Sequence, residues 1–254
     1  VILRRNPYYW KVDEAGNQLP YLDEMIYRLS TWGDRDVQAV AGTGDFSNLE
    51  QPENYVESLR RAAEPDSPAR LAFGARTIAY TLQPNLSGNG WGNPDERAQA
   101  VRELNRDVNF RRGVSRAIDR EQLGQALVRG PFTTPYPGGV YAETSFYDKD
   151  STAYFPFDAE AAKADFAAAG LEDTDGNGFL NFPGGGDVEI TMLINADYQT
   201  DKTIGETIVA MMERVGLRVI PNIVAGSPII ELSQSGQFDW WMTRINSSEL
   251  STIV

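Results

Sequence analysis

The residues of this chain that could do chemistry are few, and what is missing narrows them first. The sequence has no histidine and no cysteine. Ser-His-Asp triads, histidine general bases, thiol nucleophiles, disulfides and Cys- or His-ligated metals are excluded within these residues. Catalysis would fall to carboxylates, lysine, tyrosine or serine, and no spacing nominates a carboxylate pair as an acid and base. Groups suited to binding are easier to find. Trp91 sits in the loop Ser87-Gly88-Asn89-Gly90-Trp91-Gly92-Asn93-Pro94. A ring there can stack on a ligand or cover the edge of a core. Arg244 follows an apolar strand pattern, in Arg244-Ile245-Asn246-Ser247-Ser248-Glu249, and could pair with an anionic group.

Asp173-Thr174-Asp175-Gly176-Asn177-Gly178 carries oxygen ligands at alternate positions and glycine at the sixth, as the first half of a calcium loop does. Asn181 could fill the ninth position. The twelfth, where such a loop places a bidentate glutamate, is Gly184. The residues themselves leave open a tight turn or Ca2+ at Asp173, Asp175 and Asn177. No cofactor is expected.

The elements that must position these groups follow from pattern. A strand is expected over 24–30, where Met25, Tyr27 and Leu29 alternate with polar neighbours. Asp34 is placed to cap a short helix, and a second helix is expected over 53–63. A strand over 77–82 ends at Pro84. Helices are expected over 95–106 and 110–118. Asp119 with Gln122 fits a capping box for the next helix, which Gly130 ends. The stretch 131–156 is irregular and aromatic, and Tyr136 and Tyr141 within it read as packing residues. Asp158 caps a helix that Gly170 closes. From there helix and strand alternate: a strand with Val188, Ile190, Met192 and Ile194 on one face, a helix from Asp201, a strand over 217–224, a helix from Ser227-Pro228, and a strand over 238–245. That alternation is the pattern of a mainly parallel sheet covered by helices.

Composition sets the outer bounds. Thirty-six acidic residues against 23 basic give a formal charge of −13, spread along the chain. Nucleic acid and anionic membrane surfaces reward the opposite sign, so neither is an expected partner. No run approaches the ~18 apolar residues of a membrane span. The chain opens on Val1-Ile2-Leu3, which reads as a strand already under way, and closes on Thr252-Ile253-Val254. A piece of a longer protein is expected, so the lack of a visible signal peptide is silent on location.

Several motifs, in order, resemble those of the solute-binding proteins of ABC importers in the dipeptide, oligopeptide and nickel class, family 5. The aromatic opening Asn6-Pro7-Tyr8-Tyr9-Trp10, with the turn at Gly16-Asn17, is similar to a segment typical of that family. Phe110-Arg111-Arg112-Gly113-Val114-Ser115-Arg116-Ala117-Ile118-Asp119-Arg120-Glu121 resembles its most specific signature. Pro156-Phe157-Asp158, Ala168-Ala169-Gly170-Leu171 with the 173–178 loop, Val215-Gly216-Leu217 and Gly236-Gln237-Phe238-Asp239 resemble four more.

The resemblance implies an α/β fold with a periplasmic binding protein type II-like lobe: a mixed, mainly parallel sheet flanked by helices, plus part of a second lobe. It implies residues 1–93 as part of a first lobe with connecting segments, 94–224 as the second lobe, and 225–254 as a return toward the first. Aromatics of the opening segment would pack and join lobes, and the 173–178 loop would be a tight turn in preference to a Ca2+ site. The arginines of 110–121, on a charged helix face, read as surface and capping residues, with a grip on a carboxylate ligand the alternative. The implied function is an extracytoplasmic, monomeric, non-enzymatic subunit. It captures a peptide or other small solute and delivers it to a membrane permease, with membrane association through a missing N-terminal region or through that permease.

In peptide-binding relatives the segment after the last strand supplies a Trp and an Asp that holds the ligand's amino group. Those places fall near Ile245 and Ser248, a departure at the point where specificity is read. Glu249, one position on, could replace the Asp. Trp91, Arg244, Asn246 and Glu249 are the expected ligand-binding residues. A carbohydrate-binding or carbohydrate-active extracellular protein, using aromatic and carboxylate groups, is the alternative.

Overall fold

The computed structural model describes residues 1–47, 49, 54–72, 78–88, 91–127, 148–151 and 153–246. It divides into two compact units, Val1–Leu71 and Ala72–Val254.

In the first unit, strand β1 (Ile2–Arg4) pairs antiparallel with β2 (Glu24–Ile26), Leu3 facing Met25. The loop between them is held by polar groups. Asp13 accepts from the backbone of Ala15 and Asn17 and from the Tyr21 hydroxyl at 2.6 Å. Those donors hold its carboxyl at about 2, below the usual range. Gln18 donates to the carbonyls of Pro7 and Tyr9. The expected strand over 24–30 stops at Ile26 because β1 offers three residues to pair with, and Leu29 is fully exposed. Tyr8 and Trp10 are 90% and 78% exposed, so the opening aromatics build no core of this unit. Helix α1 (Trp32–Val40) is capped by Thr31, whose Oγ1 accepts from Asp34 N and donates to the Asp34 carboxylate. Asp34 is therefore the third residue of the helix and not its cap. Helix α2 (Tyr55–Ala62) completes the unit.

The second unit is built on a four-stranded sheet of β3 (Ile78–Pro84), β4 (Glu189–Asn195), β5 (Arg218–Val224) and β6 (Trp240–Asn246), in the order β3-β6-β4-β5. β4 is parallel to both neighbours, and β3 runs antiparallel to β6. Local capping sets the helices. Asp95, Asp107 and Asp158 each accept from backbone N–H groups in the first turns of α3 (Glu96–Arg106), α4 (Val108–Ala117) and α6 (Ala159–Ala168). Asp119 does the same for α5 (Arg120–Leu127) through Gln122 N, and a short 3-10 turn follows at Lys149–Ser151.

Alternation along β4 divides the packing. Ile190, Met192 and Ile194 pack with α7 (Gln199–Glu213) and with Phe110, Phe166 and Trp240 in the main core. Leu193 points the other way, to Ile229 of α8 (Pro228–Gln234) and Phe238. The chain thus crosses from β4 to β5 over one face and from β5 to β6 over the other. Helix α7 begins two residues ahead of the expected Asp201. Tyr198 stands at its cap position, and Asp201 is buried in its first turn.

The expected boundaries at 93/94 and 224/225 differ from the observed division at 71/72. β3 precedes the first boundary and β6 follows the second, yet the two share a sheet with β4. Their ladder joins segments far apart in sequence, a pairing that leaves no local pattern. Gly130, Tyr136 and Tyr141 lie outside the described residues.

At the amino edge of the parallel strands, buried polar groups clasp these pieces. Asp239 Oδ2 accepts from Arg97 at 2.7 Å and from Thr191 N at 2.8 Å. Asn105 is fully buried; it donates to the carbonyls of Asn85 and Asp239 and accepts from the Trp240 indole at 2.8 Å. Substituting Asn105→Ala strands the Asn85 carbonyl and the Trp240 indole in a dry interior, while the Asp239 carbonyl keeps the Asn85 N–H, so we expect a loss of about 2–4 kcal/mol in denaturant unfolding. Unchanged stability would contradict this role.

Candidate ligand-binding site

Parallel strands that cross over on opposite faces leave a crevice beyond their carboxyl ends, where the covering helices diverge. A cavity of about 570 Å3 lies there. Asn195 ends β4, while Trp241, Thr243 and Arg244 belong to the later part of β6. Asp201 comes from the first turn of α7, and Ile229, Ile230, Ser233 and Gln234 from α8. The two loops behind the cavity are tied together, since Gly226 N donates to Asp197 Oδ2 and Ala196 N donates to Val224 O.

Asp201 and Arg244 are the only charges lining the cavity among the described residues. Arg244 Nε lies 3.6 Å from Asp201 Oδ1, close enough for an ion pair and too far for a good hydrogen bond. The guanidinium carbon lies over the Tyr198 ring, 3.7 Å from its centroid. Asp201 is 3% exposed, and its Oδ1 accepts no hydrogen bond among the described residues. Burial pushes its carboxyl up to about 6, and Arg244 offsets only part of that.

Of the expected ligand-binding residues, Arg244 alone reaches this cavity with its side chain described. Asn246 ends β6 opposite Ile78, and Glu249 lies outside the described residues. Trp91 is placed elsewhere. Its ring stands edge-on to Phe238 at 6.4 Å and covers Gly236, where an added Cβ would meet the indole at 2.6 Å. Phe238 in turn packs on Trp241 at 6.0 Å, so the indole lining the cavity is Trp241. Trp241 was hidden as one of two adjacent tryptophans in a strand, and Asp201 as a helix-start signal. Their place at the carboxyl edge of the alternating strands was the available clue.

The arginines of 110–121 turn to structure. Arg116 pairs with Asp165 at 2.8 Å, Arg120 donates to Ser115 O and Oγ, and Arg111 donates to the carbonyls ending α3. In the acidic loop Asp173 accepts from Gly176 N and Gly178 N, and Asp175 accepts from Asn177 N. Asn177 and Asn181 both donate to Asp187.

Comparison with known proteins bears on this geometry. The family described as "Bacterial extracellular solute-binding proteins, family 5 Middle" matches residues 1–252. The periplasmic alpha-galactoside-binding protein of Rhizobium meliloti is 60% identical over 258 aligned positions, covering 100% of this chain and 37% of that protein. The periplasmic binding protein MelB of Agrobacterium fabrum, solved in complex with stachyose, superposes with a TM-score of 0.86 at 61% identity. That match covers 96% of this chain and 37% of MelB. AppA of Bacillus subtilis, an oligopeptide-binding protein solved with a nonapeptide, has a TM-score of 0.58 at 22% identity, over 89% of this chain and 41% of its own, and shares the fold alone. The chain spans about 37% of the length of the curated relatives it matches. These likenesses bear out the expected type II periplasmic-binding-protein lobe with a mixed, mainly parallel sheet. The relatives are solute-binding proteins, not enzymes.

The raised Asp201 carboxyl has a stability consequence with a definite sign. The folded state holds this proton up to about pH 6, while the unfolded chain releases it near 3.8. The folded state therefore binds more protons between those values, and stability falls as pH rises through them. Asp201→Asn removes the cost of a buried charge. The variant is expected to be more stable than the parent by up to about 3 kcal/mol above pH 7, converging with it near pH 4. Thermal melts from pH 4 to pH 8 check this, and a gap independent of pH would refute it.

Proposed function

The chain belongs to family 5 of the bacterial extracellular solute-binding proteins, and from that premise we propose that the whole protein captures an α-galactoside oligosaccharide outside the cytoplasm and delivers it to an ABC-type permease. The observation that carries the substrate class is the 60% identity, along the full chain, to an alpha-galactoside-binding protein. The cavity suits such a ligand. Trp241 offers a flat apolar face of the kind that stacks on sugar rings. Asn195, Ser233, Gln234 and Thr243 offer uncharged groups that both donate and accept. The departure from the peptide-binding pattern near Ile245 and Ser248 points the same way.

A peptide ligand would need a countercharge at each terminus. The two charges lining the cavity among the described residues, Asp201 and Arg244, already face each other at 3.6 Å. Glycoside hydrolysis needs two carboxyl groups across a bond, and Asp201 is the single carboxylate lining the cavity among the described residues. The protein is accordingly read as a binding subunit that alters no bond of its ligand. It is read as monomeric, with its membrane association arising through the permease or an N-terminal region.

Thermal melting of the full-length protein with stachyose, with a nonapeptide and with no addition tests the reading. A concentration-dependent rise in melting temperature is expected with stachyose alone. Stabilisation by the peptide and none by stachyose would overturn the substrate class, and appearance of free galactose would overturn the non-enzymatic role.

A further inference from the structure

Asp201 is the one group around the cavity whose state the fold does not explain. A buried carboxylate ordinarily collects hydrogen bonds to compensate for lost water. Here Oδ1 accepts none among the described residues and is itself closed off from solvent, while the residue, its side chain 96% buried, lines an open space. Arg244 stands at hand but does not close the gap. Its guanidinium lies on the Tyr198 ring, and its Nε stops 3.6 Å away. The pair therefore presents an acceptor lacking a donor, beside a cation whose charge offsets its own.

We propose that Asp201 is a specificity-determining ligand contact, its carboxylate turning to accept a hydrogen bond from a hydroxyl of an uncharged sugar beside the Arg244 guanidinium. This rests on the carbohydrate reading of the same cavity and deepens it. A hydroxyl fits better than a charged group for a reason of sign. An ammonium drawn to Asp201 is repelled by Arg244, and a carboxylate drawn to Arg244 is repelled by Asp201. A hydroxyl donates to the one and accepts from the other at no net electrostatic penalty. The uncharged groups of Asn195, Ser233, Gln234 and Thr243 extend that preference to the rest of the lining. The raised carboxyl at Asp201 agrees, since ligand-contacting groups are where a fold tolerates a buried carboxylate short of hydrogen bonds.

The test uses the full-length protein, titrated calorimetrically with stachyose and with trilysine as a cationic probe. Asp201→Asn and Asp201→Ala are compared with the parent, and Lys163→Ala, on the exposed side of α6, serves as the control. Stachyose affinity is expected to fall about tenfold to a hundredfold in both Asp201 variants and to stay unchanged in the control, in line with loss of a hydrogen bond to a charged group. Melting temperatures of the ligand-free variants, at or above that of the parent, separate this loss from misfolding. If the parent binds stachyose and both variants bind it within twofold, the assignment of Asp201 is overturned while the carbohydrate reading stands. If the parent binds no stachyose, both fall. Saturable trilysine binding that disappears in Asp201→Asn would also overturn the assignment, because Asp201 would then be holding an ammonium.

Discussion

The second unit depends on the carboxylate of Asp239. It sits at the entrance to β6, buried, and its Oδ2 takes one hydrogen bond from Thr191 on β4 and another from Arg97 on α3. Arg97 also donates to the carbonyl of Glu189, at the start of β4. Asn105 adds the Trp240 indole and the Asn85 carbonyl, which brings in the end of β3. These contacts set which residue of β6 stands beside which residue of β4. A slip of one residue would turn every side chain of β6 to the opposite face. Arg244 would then leave the α7 side for the α8 side and lose both Asp201 and Tyr198. The polar clasp at one edge of the sheet therefore decides the chemistry at the other.

That separation of roles along the strands is economical in residue types. The amino edge is packed with amides, a carboxylate and an arginine that hydrogen-bond to one another, with Asp239 Oδ1 accepting no hydrogen bond among the described residues. The middle is apolar on both faces, with Met192 and Ile194 toward α7 and Leu193 toward α8. At the carboxyl edge polar side chains line a cavity, because α7 and α8 start from opposite faces and leave it uncovered. The cavity follows from how the chain winds and needs no insertion to create it.

How much of this was legible in the sequence tracks how local each interaction is. Aspartates 119 and 158 announce their helices because a cap bonds to backbone three residues away, whereas Asp107, which caps α4 and starts it two residues ahead of the expected 110, went unread. The alternation along β4 reads directly as two buried faces. Asp34 misleads because Thr31, three residues earlier, is an equally good cap and the helix has room for both. Asp239 and Asp201 were opaque for a different reason. Each looks like an ordinary polar residue beside a strand or at a helix start, and the groups that define it, Thr191 and Arg97 or Arg244 and Tyr198, arrive from distant parts of the chain. Trp91 shows the converse. A glycine-rich loop made it resemble a ligand platform, and Gly236 turned it into a lid on Phe238.

β3 and β6 meet along seven residue pairs, from Ile78 opposite Asn246 to Pro84 opposite Trp240. Because they run antiparallel, the segment entering through Ile78 and the segment leaving through Asn246 emerge side by side, at the cavity edge of the sheet. Tension drawn through those two segments would not shear the ladder as a block. It would peel the ladder from one end, one hydrogen-bonded pair after another, with the rung nearest the cavity loaded first. The edge of the sheet that lines the cavity is thus also the edge from which this ladder would open under such a load.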